Sequence, residues 1–200
     1  MLRPATLLPV LALLAACSSD PPRHPDDSCA IFREKDDWYE AMRDSQQRWG
    51  VPIHVQLAII YQESRFQDDA KPPRDTLLWV IPWFRKSSAY GYAQVQDDTW
   101  DWYRQKTGHW GADRDDFEDV VDFIGWYGDL SHRIDGIPKW DAYNQYLAYH
   151  EGHGGFKKAS YRKKPWLMKV ARQVQARAGR YHSQLARCEA ELKDKGWWPF

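Results

Sequence analysis

The sequence predicts a mainly α fold built as a single domain, and three observations carry that reading. From Leu167 onward, Val170, Ala171, Val174, Ala178, Tyr181, Leu185, Cys188 and Leu192 step by three and four, the spacing of one face of a long amphipathic helix. Earlier segments open on Asp or Pro and close on Gly, as helices do. No segment alternates convincingly enough to be a strand, and no internal repeat is present. With 200 residues, 43% hydrophobic and 28% charged, the chain can build one good core or two small ones, which excludes overall disorder.

The elements follow in order. Arg3 precedes an apolar run from Ala5 to Ala16 that is too short to span a bilayer and has the order of a signal peptide, so residues 1–16 stand apart from the fold. Residues 18–28 are polar and contain Pro, as a tether would, and structure is expected from Cys29. Asp36 and Asp37 can cap a helix with Trp38, Met42 and Trp49 on one side, ended by Gly50. Pro52 suits the first turn of the next helix, which runs to about Arg65.

Between Gln67 and Ser88 the helical signal fails. Lys71-Pro72-Pro73 leads into an apolar run, Leu77 to Phe84, broken by Pro82, which reads as a long loop or insertion over 67–88. Its Trp79, Pro82, Trp83 and Phe84 could face a ligand or touch lipid; packing against the domain ranks first, since a large exposed apolar patch invites aggregation. Helices return from Asp97 to Gly108, from Asp115 to about Gly128 and from Asp141 to Tyr149, and a C-terminal helix covers 162–195. The tail Gly196 to Phe200 suggests only packing or membrane contact.

Charge and aromatic content narrow the ligand. The 28 basic and 28 acidic residues cancel, which removes whole-molecule attraction to nucleic acid. Residues 109–151 hold ten acidic and three basic side chains, whereas 157–195 hold twelve basic and three acidic; the two stretches either face each other or are separately solvated. Twelve Trp, eleven Tyr and seven Phe exceed what a core of this size needs, so some rings are expected to face a ligand.

Glu63 is the residue best placed for chemistry. In the helix from Pro52, Val55, Ile59, Gln62, Glu63 and Phe66 share a face, which sets a carboxyl beside apolar neighbours. Desolvation disfavours the charged form, so this carboxyl should hold a proton near neutral pH, as a general acid for glycosidic cleavage must. The tract His150-Glu151-Gly152-His153-Gly154-Gly155 invites a metal reading, but its histidines are three apart and its glycines break the helix; no metal and no cofactor are expected.

Two resemblances extend this. Leu14-Ala15-Ala16-Cys17 resembles a bacterial lipobox, in which the signal is cut before the cysteine and Cys17 is acylated; Ser18 then implies the periplasmic side of the outer membrane. With Cys17 lipidated in an oxidising compartment, Cys29 and Cys188 are left to pair, with buried thiols the alternative.

The second resemblance runs from about residue 50 to 160. Ala58-Ile59-Ile60-Tyr61-Gln62-Glu63-Ser64-Arg65-Phe66 is similar to the catalytic helix of the lysozyme-like lytic transglycosylases, Tyr90-Gly91-Tyr92-Ala93-Gln94 to their Gly-x-x-Gln segment, and Leu147-Ala148-Tyr149-His150-Glu151-Gly152 to their Ala-Tyr-Asn before glycine. The family implies a lysozyme-like domain with a substrate cleft, acting on peptidoglycan glycan strands as a monomer. Glu63 would protonate the oxygen between N-acetylmuramic acid and N-acetylglucosamine, then as a base draw the proton from the muramyl 6-hydroxyl, leaving a 1,6-anhydro product.

By the same transfer Ser64 would position substrate or Glu63, the backbone from Gly91 and the Gln94 amide would touch substrate, and Tyr149 would hydrogen-bond near Glu63. Tyr90, Tyr92, Trp100 and Tyr149 become sugar-facing candidates, while Trp38, Trp49 and Trp166 read as core. The stretch between Glu63 and Gly91 exceeds the family spacing, and His150 replaces the family Asn. Ala142-Tyr143-Asn144 is closer in letters but lacks the following glycine segment. The alternatives are a hydrolytic muramidase using a second carboxylate from among Asp68, Asp69, Asp97, Asp98 and Glu151, or a peptidoglycan-binding lipoprotein without activity.

Overall fold

The computed structural model describes residues 20–72, 76–77, 81–82 and 87–195. Among these the protein is mainly helical, with seven α-helices: α1 Ser28–Glu34, α2 Asp36–Trp49, α3 Ile53–Ser64, α4 Asp97–Thr107, α5 Phe117–Asp135, α6 Ala142–Lys157 and α7 Pro165–Lys195. A 3-10 turn, Ser160–Lys163, precedes α7, which therefore starts at Pro165 rather than 162. Within the expected insertion, Thr76–Leu77 pairs antiparallel with Ile81–Pro82, a short ladder that the strand-free reading did not foresee. Trp79, Trp83 and Phe84, the tail from Gly196 to Phe200, and residues 1–19 with Cys17 lie outside the described residues.

The helix α3 runs through the centre of the molecule. Val55, Leu57, Ala58, Ile59 and Ile60 are all buried, so it is enclosed on nearly every side, with α2, α5, α6 and α7 as its neighbours. Pro52 stands at its N-cap, one step before the expected first turn, and a Pro there offers no side-chain acceptor. Gln46 supplies one instead, its Oε1 accepting from Ile53 N at 2.9 Å.

Two helices run past their expected ends. Gly128 reads as a stop, yet α5 continues to Asp135 and ends at Gly136, φ 71°. A Cβ on Gly125 would collide with Ser45 and Trp49 of α2, and one on Gly128 would crowd Val51, so these glycines let α5 lie close against its neighbours. The helix tolerates them because that packing outweighs their intrinsic cost of about 1 kcal/mol each. The α6 helix continues beyond Tyr149 to Lys157 but breaks at Gly152, where φ 69° and ψ 161° are not helical.

The periodic C-terminal stripe is buried as predicted at Leu167, Ala171, Val174, Ala178, Tyr181, Leu185, Cys188 and Leu192, while Val170 at its edge is half-buried. A disulfide joins Cys29 of α1 to Cys188 of α7. The segment expected as a free tether up to Ser28 is partly docked, because α7 offers it polar partners. Ser28 N donates to Gln184 Oε1 at 2.9 Å, Gln184 Nε2 donates to the Asp26 carbonyl at 3.0 Å, and Tyr181 hydroxyl donates to the Pro25 carbonyl. No helix among the described residues is long and apolar enough to cross a membrane.

Candidate active site

Glu63 lies in the last turn of α3. The chain then reverses sharply: Arg65 and Phe66 both take positive φ, 54° and 66°, conformations that side-chain-bearing residues adopt at a cost of about 1–3 kcal/mol each. Phe66 secures the reversal, being fully buried against Trp38 and Tyr61. The helix end thereby presents Glu63 to a cleft of about 640 Å³, whose lining includes Gln94, Thr99, Tyr127, Tyr149, His150 and Glu151.

Glu63 is half-buried and lines that cleft. Burial pushes its pKa up to about 7, against the opposing effect of a hydrogen bond from the Tyr146 hydroxyl, which favours the ionised form. Desolvation wins, leaving a carboxyl that is largely protonated below neutrality. Tyr146 and Tyr149 are raised well above the ordinary tyrosine range by burial and by the neighbouring Glu63 charge, so both remain neutral donors.

Tyr149, expected to hydrogen-bond near Glu63, does lie beside it, and a second tyrosine, Tyr146, adjoins the carboxyl as well. Tyr149 does line the cleft, but its hydroxyl donates to the Ala93 carbonyl at 2.6 Å, which pins the 89–95 segment to α6. Tyr146, three residues earlier and on the same helical face, holds Glu63. The periodicity linking Tyr146 to Tyr149 was the available signal, and motif wording alone passed over it.

The glycine segment is a brace. Gly91 has φ 76°, and a Cβ there would run into the Arg114 main-chain carbonyl. Gln94, at φ 48°, spends both amide protons within the protein, donating to Ala70 O at 2.8 Å and Gly91 O at 2.9 Å. The amide oxygen is the part left for a ligand, so Gln94 would accept from substrate rather than donate to it. Gly91→Ala should cost about 2 kcal/mol or more by denaturant unfolding and lower activity by displacing Gln94; unchanged stability would contradict this close approach.

Several expected contacts fall elsewhere. Ser64 hydroxyl bonds back to the Ile60 carbonyl at 3.3 Å within its own helix. Tyr92 is buried edge-on to Trp38 and Phe117, and Trp100 is buried with its Nε1 donating to Ala112 O, so both are core. Tyr90 stands outside the cleft, its hydroxyl on Asp115 at 2.8 Å. Trp166, read as core, is 55% exposed and sits edge-on to His150 at 5.3 Å between ring centres. Trp38 is core as expected, stacked on Phe117 at 3.7 Å.

Of the five acidic candidates for a second carboxylate, Glu151 lines the cleft. Its oxygens are already engaged: Lys164 donates at 2.7 Å, Ser160 donates to the other oxygen, and His150 Nδ1 lies at 3.1 Å. Burial opposes its charge, but those hydrogen bonds prevail and hold it at about 2. This pair also joins the acidic and basic stretches of the chain. Asp97 is paired to Arg114 at 2.8 Å, in the first turn of α4. His153 turns away to Asp135, at 2.6 Å, and no group of three metal-ligating side chains gathers among the described residues.

A family model described as Transglycosylase SLT domain matches residues 5–188. No curated protein and no solved structure matches the chain. A match spanning most of the sequence, on a mainly helical domain with a cleft at the end of its central helix, establishes that the chain belongs to the transglycosylase SLT domain family, whose chemistry is of the peptidoglycan lytic transglycosylase type.

Proposed function

We propose that the protein cleaves the bond between N-acetylmuramic acid and N-acetylglucosamine with Glu63 acting first as acid and then as base. The observation that carries this is the Glu63 carboxyl, raised to about 7 in a cleft where Glu151 is engaged by three partners. Protonated Glu63 gives its proton to the bridging oxygen as the C–O bond breaks. The carboxylate so formed then takes the proton of the muramyl 6-hydroxyl as that oxygen closes on the anomeric carbon, regenerating the acid. One carboxyl suffices, and no water is consumed. A hydrolase would need a second carboxylate free to activate water, whereas Glu151 already accepts from Lys164 and Ser160 and has His150 beside it.

A pH profile tests the assignment. Because the acid form starts the reaction, kcat/KM should fall as pH rises through about 7. A profile flat from pH 5 to 9 would remove Glu63 from that role.

We also propose that the chain is lipid-anchored through Cys17 on the periplasmic side of the outer membrane. The Leu14 to Cys17 wording and the Cys29–Cys188 disulfide, which needs an oxidising compartment, support this. The mass of the mature N-terminal peptide should show an acylated Cys17; an unmodified Cys17 in the protein isolated from cell envelopes would contradict it.

A further inference from the structure

The outer face of α7 carries a line of cations that the fold does not use. From Gly152 to Cys188 the chain holds ten Lys and Arg and no Asp or Glu. Two of the ten are paired, Lys164 with Glu151 and Arg177 with Asp26. Opposite the buried stripe of α7, Lys169, Arg172, Arg180 and Arg187 are all exposed and share one side of the helix, with the small Ala176 and Ser183 between them. At 1.5 Å per residue the line runs for about 27 Å. None of these four forms an ion pair among the described residues. Cations elsewhere on the surface do: Arg133 meets Asp129 at 2.7 Å and Arg104 meets Asp101 at 3.5 Å, each within its own helix.

The N-terminal segment brings one anionic surface within reach of this line. It runs along the flank of α7, where the Tyr181 hydroxyl donates to the Pro25 carbonyl, Gln184 Nε2 donates to the Asp26 carbonyl at 3.0 Å, and Arg177 pairs with Asp26. Those contacts fall between Arg172 and Arg187. Cys17 precedes Pro25 by eight residues, so even at full extension it stands within about 29 Å of that point.

From this we infer that the outer face of α7 docks on an anionic phospholipid bilayer, the one that holds Cys17. The inference rests on the proposed lipid anchor and is independent of the acid–base role of Glu63. The apolar face of α7 is committed to the core, so the contact is electrostatic and the helix does not insert. Four cations on one side of a helix suit such a surface, each strengthening binding about five-fold. A sacculus or a nucleic acid also carries negative charge, but this chain tethers neither beside α7. The acyl chains hold the protein at the bilayer, and the cations set which side of it faces the lipid. No residue of α7 lines the Glu63 cleft, so contact through this face engages none of the catalytic machinery.

The test uses the chain from Ser18 to Phe200, which keeps every described residue and can carry no acyl group. Co-sedimentation is measured with vesicles of phosphatidylglycerol mixed with phosphatidylcholine, and of phosphatidylcholine alone, at low and at high salt. Arg172→Gln, Arg180→Gln and Arg187→Gln together should weaken binding to the anionic vesicles at least about ten-fold. Gln keeps the helix propensity of these exposed positions while removing their charge, and thermal melts confirm folding. Arg43→Gln, Lys106→Gln and Arg133→Gln, an equal loss of charge on other helices, should change binding by less than about two-fold. High salt should release the protein, and vesicles of phosphatidylcholine alone should not bind it. Equal binding to both vesicle types, equal weakening by the two triple variants, or anionic-vesicle binding that the α7 variant retains would overturn the inference. So would sacculi or nucleic acid binding through the α7 cations where vesicles do not. The anchor is read separately, from the mass of the N-terminal peptide: an unmodified Cys17 alongside charge-dependent vesicle binding removes the anchor and leaves the α7 contact standing.

Discussion

Replacing Glu63 with Gln should reduce turnover of peptidoglycan by about 10²- to 10⁴-fold while making the protein more stable above neutral pH. The two effects share one cause. Glu63 is held at about 7 in the fold against its ordinary 4.5, so the folded state binds this proton more tightly than the unfolded chain does. Its contribution to stability is fully present below about 4.5 and is lost as pH rises through about 7, where folding must bury a charge. Gln keeps the shape and never ionises. The gain at pH 8 should be about 1–3 kcal/mol, reduced from the full shift because the carboxyl opens to the cleft, and should vanish near pH 4. Denaturant unfolding at the two pH values measures it, and a variant that is less stable than the parent at pH 8 would contradict the burial argument.

Breaking the Cys29–Cys188 bridge should have the second large effect. It spans 159 positions of sequence and ties α1 to the distal part of α7. Constraining so long a loop in the unfolded chain is worth roughly 5 kcal/mol at most, and the segment from Pro25 to Ser28 keeps some order on its own through Gln184 and Tyr181. Cys29→Ser with Cys188→Ser should therefore cost about 2–5 kcal/mol and lower Tm by on the order of 10 °C. Activity at room temperature should survive, since neither cysteine lines the cleft. A melt insensitive to reductant would show that the bridge carries no stability.

How much of this was legible before the structure depended on how local each signal was. The α7 stripe is a period repeated over eight buried positions, and no tertiary information is needed to see it. The extent of α5 was not legible, because Gly128 stops a helix or admits a neighbour depending on what lies opposite, here Val51. Tryptophans were sorted by nearness to motifs, which fails when a motif serves as a brace: Trp100 went inward with α4, and Trp166, the residue before Leu167 on α7, went outward. Glu63 was legible because its apolar helical face dictates desolvation whatever lies across the cleft. The Lys164 and Ser160 partners of Glu151 are contacts made across the kink at Gly152, and no spacing rule announces them.

The acid-then-base scheme is tested most directly by the masses of fragments released from purified peptidoglycan. The scheme predicts muropeptides ending in 1,6-anhydro-N-acetylmuramic acid. Reducing ends, heavier by about 18 mass units for the water added in hydrolysis, would contradict it and assign the second step to water, and release of no fragments would remove catalysis altogether.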